Sequence, residues 1–409
     1  EILANDHNMT YCSLRPEKLD DWLNERLARL PLSGQEVVGS QVGDRASYVN
    51  VTNLGGSYKA RKPVVASTLT TEEQWRKEQK QVMDARRMLY IESDFSMMDS
   101  SYDEEAFAFL HAFYGFLGFP TDGPISRLWD ALGHVKGSFQ DSDGKRQKFT
   151  AGYVNASGRD DTAVNNAVIN AWLTGFGYIC HQLGTTMTGL LDETRFPKHT
   201  VMDAFKEFNG GIVGDDLLAS MPIEHASAAP AMCAFAQEGG FTNKLTTSED
   251  LFTTVFLGLR PYPCAVADAQ GTFRHQLRFG KQLCRCLYKF GWQRQPTVDK
   301  LAWGKGVAWA SLIANNHVPI LRAFCLAVLK NTEDIAMKVP CDLWKFRLPA
   351  ERELRALTNW SELMMMSAYG LTFGDIWAVE DHILGITSLP CTIDHPVLRR
   401  MLEVDSGAL

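Results

Sequence analysis

Gly210-Gly211-Ile212-Val213-Gly214-Asp215-Asp216-Leu217-Leu218 reads as two short strands joined by a tight turn, with adjacent carboxylates at the turn. Apolar residues on each side supply the strands, and the glycines suit a turn that needs positive φ. Neighbouring strand residues point to opposite faces, so the two acids should play unequal parts. Asp215 is expected to take a main ligand position and Asp216 its margin.

Working outward, the apolar run Met88-Leu89-Tyr90-Ile91 forms a further strand that Asp94 closes, opening Asp94-Phe95-Ser96-Met97-Met98-Asp99. Carboxylates gathered at strand ends repel one another unless cations lie between them. Oxygen-only ligands suit Mg²⁺ or Mn²⁺, and two such ions serve an in-line phosphoryl displacement. The expected metal ligands are Asp94, Asp215 and Asp216. Asp99, where the chain curls into a helix, is placed to reach the sugar of a nucleotide. The plainer alternative for Asp94 and Asp99 is a strand end followed by a helix acid.

A third segment lies between them, Ser157-Gly158-Arg159-Asp160-Asp161-Thr162-Ala163-Val164-Asn165-Asn166, followed by Asn170. Its small residues open a helix over 162–181. Thr162, Asn166 and Asn170 recur every fourth position and share one helical face. Three polar groups on one face are unusual for a core-facing surface in a helix otherwise rich in Ala, Val and Ile. The alternative is a solvent-facing stripe. Asp99 and Asn166, with Ser157 or Thr162, form a candidate hydrogen-bonded set for a ribose 2′-OH. A site built to bond a hydroxyl rejects the analogue that lacks it.

The chain has 409 residues, 45% hydrophobic and 22% charged, with a net charge of −7. That is enough to bury a large core in two or three subdomains. It excludes a generally basic nucleic-acid binder, so any such surface must be a local channel in an acidic body. Nine scattered cysteines, with only Cys284 and Cys286 close together, read as thiols in a reducing, cytosolic setting. The ten histidines show no zinc spacing. Val307 to Leu329 is too interrupted to cross a membrane. The chain starts at Glu1, so it is read as a fragment, with any membrane anchor outside the given residues.

Helices are also expected over 18–30, 71–87, 103–117 and 226–238, with a hairpin over 136–154 turning at Asp141-Ser142-Asp143-Gly144. Residues 51–68, with the basic cluster Lys59-Ala60-Arg61-Lys62-Pro63, and 253–263 read as extended; 265–409 reads as mostly helical. This order makes an α+β layer.

Together, Asp94/Asp99, Ser157/Gly158/Thr162/Asn166 and Gly214/Asp215/Asp216 resemble the RNA-dependent RNA polymerases of positive-strand RNA viruses, in the nodavirus-like branch. That family carries Asp-x4-Asp, then Ser-Gly-x3-Thr-x3-Asn, then Gly-Asp-Asp, in this order. The resemblance covers residues 50–265 and reaches the helical tail only by position. It implies a right-hand polymerase with an antiparallel-sheet palm, fingers and a mostly helical thumb. The implied division is 1–88 as the N-terminal part of the fingers, 89–264 as palm with a fingers insertion at 118–156, and 265–409 as thumb.

The resemblance also implies roles. Lys59, Arg61 and Lys62 would cradle the triphosphate, with a solvated charge run as the alternative. Lys244, after Gly239-Gly240-Phe241-Thr242-Asn243, would protonate the leaving pyrophosphate. Phe256-Leu257-Gly258-Leu259-Arg260 looks like a primer-gripping hairpin. Asp94, Asp215 and Asp216 would be catalytic. Nucleotide-binding residues would be Lys59, Arg61, Lys62, Asp99, Ser157, Gly158, Thr162 and Asn166. The implied cofactor is Mg²⁺ or Mn²⁺, and the partners are an RNA template, nascent RNA and ribonucleoside triphosphates. The implied location is the host cytoplasm, at membrane-associated replication complexes. The alternatives are a reverse transcriptase and a non-catalytic RNA-binding palm fragment.

Overall fold

The computed structural model describes residues 9–11, 19–20, 22–24, 87–124, 127, 131, 133–156, 161–267, 273–290, 299–337 and 355–406. The chain divides into two compact units, Glu1–Trp22 with Arg86–Asp250, and Leu23–Ala85 with Leu251–Leu409. Both mix helix and sheet, and the class is α+β. The chain changes unit at Asp250–Leu251, ahead of the expected 264/265 boundary.

In the first unit, β1 (Met9–Tyr11), β2 (Met88–Ser96), β5 (Asn209–Val213), β6 (Asp216–Pro222) and β7 (Thr242–Ser248) form one sheet. The strand order is β1-β5-β6-β2-β7. Every pairing is antiparallel except β1 with β5, which is parallel. A separate two-stranded sheet pairs β3 (His134–Gln140) with β4 (Arg146–Gly152), on the expected turn.

The helices α1 (Glu104–Phe116), α2 (Thr162–Leu183), α3 (Met187–Leu190), α4 (Lys198–Phe205) and α5 (Ala228–Glu238) complete this unit. Asp103 starts α1 by accepting the Ala106 N–H at 2.8 Å, which satisfies one of the orphan donors of the first turn. Gly184, with a left-handed φ of 58°, ends α2. Within α2, a Cβ at Gly177 would lie 3.1 Å from the Met232 Cα, so the missing side chain lets α2 and α5 approach closely.

Two apolar clusters flank the aspartate strand. Leu89 and Ile91 pack with Ala167, Tyr178, Ile212, Leu217 and Met232. Phe95 and Met98 pack with Tyr102, Leu110, Ile169, Leu173 and Phe241. Each fully buried Leu, Ile or Phe is worth about 1.5–3 kcal/mol, so both ends of the Asp94 strand are firmly anchored.

In the second unit, β8 (Leu259–Ala267) pairs with β9 (Phe273–Lys281) and with the short β10 (Arg355–Ala356). Around them are α6 (Leu283–Lys289), α7 (Lys300–Asn315), α8 (Leu321–Lys330), α9 (Asn359–Tyr369), α10 (Phe373–Leu384) and α11 (Pro396–Ser406). The extended reading of 253–263 needs correction at its start. Leu251–Thr253 is a 3-10 turn, closed when Thr254 Oγ1 donates to the Leu251 carbonyl at 2.6 Å. Phe256 and Leu259 then bridge across Leu257 and Gly258, both at positive φ, 56° and 70°. Arg260 is buried and pairs with Asp405 at 3.3 Å. Met364 and Met365 are fully buried, and seven described cysteines are free thiols.

Among the described residues, no helix is long and apolar enough to cross a membrane. The basic cluster Lys59, Arg61 and Lys62, the Ser157-Gly158 loop and all but the last residue of the expected 71–87 helix lie outside the described residues.

Candidate functional site

Strand β2 alternates as its sequence demands: Ser93 and Phe95 are buried, and Asp94 between them is exposed on the other face. In register, Asp94 stands opposite Lys244 of β7. On its other side the ladder to β6 ends at Ser93 with Leu217, so one further step brings Asp94 level with Asp216. Ser93 Oγ donates to Asn243 Oδ1 at 2.7 Å, fixing β2 to β7 at this level.

The chain then turns sharply. Met97 adopts φ 54° and ψ 40°, a left-handed conformation uncommon outside glycine, and its side chain is 78% exposed. Its carbonyl accepts from the backbone N–H and the hydroxyl of both Ser100 and Ser101. This knot sets Asp99 in a 3-10 turn, Met98–Ser100, and Met98 anchors the turn in the core. The Asp99 carbonyl accepts the Asn155 N–H at 2.9 Å, and its carboxylate accepts from Asn166 Nδ2 at 2.8 Å.

Asp215 lies in the two-residue connection between β5 and β6, where Val213 pairs with Asp216. Gly214 takes φ 64°, which a non-glycine residue would adopt only with strain. From α2, Asn170 Nδ2 donates to the Asp215 carbonyl at 2.9 Å and to the Gly214 carbonyl at 3.4 Å. Thr174 Oγ1 in turn donates to the Asn170 carbonyl. Burial holds the Asp215 carboxyl above its ordinary range, and the charges of Asp94 and then Asp99 push it further the same way. Its own backbone N–H opposes the shift. Asp94 and Asp99, distant in sequence, thus lie near enough to Asp215 for their charges to bear on it.

The polar face of α2 is neither a solvent stripe nor ordinary core. Asn166 and Asn170 are buried, at 5% and 0% exposure, and each spends its amide on one of the two acid-bearing turns. Thr162 differs: its hydroxyl donates to the Ala156 carbonyl at 2.8 Å, closing the loop ahead of the helix rather than joining Asp99. Asp216 is half-buried at the start of β6, and Lys244 is exposed on β7.

No protein-family model and no curated protein matches the chain.

Several residues of this network carry no signal in the sequence. Asn155, fully buried, donates to Asn166 Oδ1 at 2.8 Å. Tyr102 donates to the same oxygen at 2.9 Å, while Tyr114 donates to Asn165 Oδ1 at 2.8 Å. Burial and then the Asp99 charge raise the Tyr102 phenol far above its usual range, so it stays a donor. With both lone pairs of Asn166 Oδ1 occupied, its Nδ2 is directed at Asp99. The one available cue was Tyr102, three positions after Asp99.

The donors at this site are oxygens only, which fits Mg²⁺ or Mn²⁺. Among the described residues, no three His, Cys, Asp or Glu side chains form a closed metal cage. Mg²⁺ seldom needs one: it binds through one or two carboxylates and fills its shell with water and substrate phosphates. Burial and the nearby charges of Asp94 and Asp99 disfavour the Asp215 carboxylate, which such a cation would favour.

Proposed function

We propose that this chain is an RNA-directed RNA polymerase of right-hand architecture. The sheet that carries Asp94, Asp215 and Asp216 would be its palm, and the helical second unit its thumb. One observation carries the reading: the charges of Asp94 and Asp99 bear on Asp215, and α2 holds both acid-bearing turns through Asn166 and Asn170. Described residues from each of the three segments, Asp99, Asn166 and the Gly214–Asp215 turn, are thus tied to α2, which supports the reading.

In this reading Asp94 and Asp215 would hold a divalent ion, with Asp216 at its margin. A divalent ion bound there would supply Lewis-acid chemistry, lowering the pKa of the RNA 3′-hydroxyl and offsetting the triphosphate charge. The chain's own groups do the rest. Asp99, oriented by Asn166, accepts a hydrogen bond from the ribose 2′-hydroxyl of the incoming nucleotide. A deoxyribonucleotide would leave that carboxylate without its donor, which disfavours it. Lys244, level with Asp94, presents an exposed ammonium that gives a proton to the leaving pyrophosphate. Lys59, Arg61 and Lys62 are assigned to the triphosphate on the resemblance alone. The 3′-oxygen bonds to the α-phosphorus as its proton passes to water, the α–β phosphoanhydride breaks, and pyrophosphate departs from an RNA lengthened by one nucleotide.

The test is labelled nucleotide incorporation on a primed RNA template with Mg²⁺, offering ribo- and deoxyribonucleotides in parallel. The expected result is ribonucleotide incorporation that Asp215→Asn abolishes. Equal use of deoxyribonucleotides would favour a reverse transcriptase, and unchanged synthesis by Asp215→Asn would refute the assignment.

A further inference from the structure

The β3–β4 hairpin belongs to neither larger sheet, and its two faces differ in kind. The register sets Lys136 opposite Thr150, Ser138 opposite Lys148 and Gln140 opposite Arg146, so these six share a face. The other face is largely apolar. There the Phe149 ring lies across Gly137, where a Cβ would come within 2.4 Å of it, and 6.5 Å from the ring of Phe139. Those aromatics cover bare backbone and one another. On the polar face, Gln140 donates to the Gly144 carbonyl at 2.9 Å and Arg146 to Ser138 Oγ, which leaves the ammonium groups of Lys136 and Lys148 out of the hairpin's own bonding.

Its three cations are exposed. None forms an ion pair among the described residues; Arg146 spends one N–H on Ser138 Oγ at 3.0 Å and keeps the rest of its fork. The hairpin's two acids, Asp141 and Asp143, sit at the turn. Asp141 is occupied by the Gln147 amide and by the N–H groups of Lys145 and Asp143, and the Gln147 bond leads in holding its carboxyl below the usual range. A strip of three cations without an ion-pair partner among the described residues thus lies on a chain of net charge −7. Arg146 and Lys148 are about 7 Å apart along β4, and Lys136 lies diagonally across from Lys148, about 7–8 Å away, with Ser138, Thr150 and Gln140 as neutral hydrogen-bonding groups opposite them.

We propose that the Lys136–Arg146–Lys148 face is a docking strip for the sugar-phosphate backbone of single-stranded RNA. Cations and neutral polar groups without a shaped pocket fit a repeating polyanion, which is held through its phosphates regardless of sequence. The proposal rests on the polymerase reading for the role of that RNA, as template, but not for the binding itself.

The test is equilibrium binding of a fluorescent mixed-sequence single-stranded RNA to the whole chain across a salt series. K136A/R146A/K148A should weaken binding about tenfold or more at moderate salt and reduce the slope of log affinity against log salt by about 2, near 0.7 per lost phosphate contact. K136Q/R146Q/K148Q, which keeps polar side chains, should do the same, and both should melt like the wild type. K198A/K206A/K330A removes the same charge from exposed sites elsewhere and should leave the slope unchanged. An unchanged slope in the hairpin variants, or an equal loss in the control, would overturn the proposal. So would loss of binding to phosphatidylserine vesicles with RNA binding retained. Asp215→Asn separates the two readings, because it should bind RNA normally while incorporating nothing. A wild type that binds RNA through the strip yet incorporates no nucleotide would sink the polymerase reading and keep the strip. One that incorporates nucleotides with the strip dispensable would do the reverse.

Discussion

Asn166 donates a 2.8 Å hydrogen bond to the Asp99 carboxylate, joining the N-terminal part of α2 to the turn that follows β2. Its own carbonyl oxygen is taken by Tyr102 and Asn155, so the amide is held in one orientation from both sides. A polar relay this fully satisfied fixes a carboxylate far better than solvent would.

Replacing Asn166 by Ala should therefore act twice. Two buried donors lose their acceptor, at a cost of about 1–3 kcal/mol of stability. Asp99 also loses its orientation, so discrimination between ribo- and deoxyribonucleotides should fall by about tenfold or more. Tyr102→Phe should cost about 1 kcal/mol and shift discrimination less. Thermal unfolding and parallel incorporation rates measure both effects.

At the other turn, Asn170→Ala removes the donor to the Asp215 and Gly214 carbonyls. The expected loss is about 1–3 kcal/mol in stability, with a raised Mg²⁺ requirement in incorporation assays. Gly214→Ala meets no crowding, since its nearest contact would be Ala163 Cα at 4.0 Å, but φ is 64°. It should cost about 1–2 kcal/mol through the backbone alone. A Gly214→Ala protein as stable as the wild type would show that the turn is not held as described.

The raised pKa of Asp215 carries a sign. Burial and the charges of Asp94 and Asp99 make the metal-free folded state take up a proton more readily than the unfolded chain. The favourable contribution is full below the ordinary carboxylate range and is lost as pH rises through the raised value. In chelator, Asp215→Asn should melt above the wild type at neutral pH, and the gap should close as pH falls. Melting curves between about pH 4 and 8 test this. A gap that widens toward acid would contradict it.

In the second unit, Asp405 accepts from Arg260 at 3.3 Å, Gln282 at 3.0 Å, the Cys284 N–H at 3.0 Å and the Tyr369 hydroxyl at 3.3 Å. Arg260 also lies 5.2 Å from the Tyr369 ring centroid. Asp405→Ala leaves a buried guanidinium uncompensated and should cost about 3–5 kcal/mol in denaturant unfolding, whereas replacing both partners with apolar residues should cost less.

Much of this was legible in the sequence, for reasons visible in particular residues. Apolar runs beside Asp94 and Asp215 located the strands because strand ends are written in local pattern. The spacing of Asn166 and Asn170 identified a special helix face, but not that its amides are buried against the acid-bearing turns, which depends on packing from distant segments. Met97 gave no warning, since a left-handed methionine lacks the glycine that usually marks such a turn. Asn155 was invisible because a single polar residue has no period, and Tyr102 offered only its place three positions after Asp99. Arg260 read as part of a gripping hairpin, and its burial against Asp405 depends on the C-terminal helix α11.

The central claim is that Asp94 and Asp215 hold one divalent ion between them. Mn²⁺ binding followed by electron paramagnetic resonance tests it, comparing wild type, Asp94→Asn, Asp215→Asn and the double variant. The account predicts one ion class that each single substitution abolishes, with the double variant no weaker than either single, a strongly non-additive cycle. An ion held as tightly by both single variants as by the wild type would contradict it.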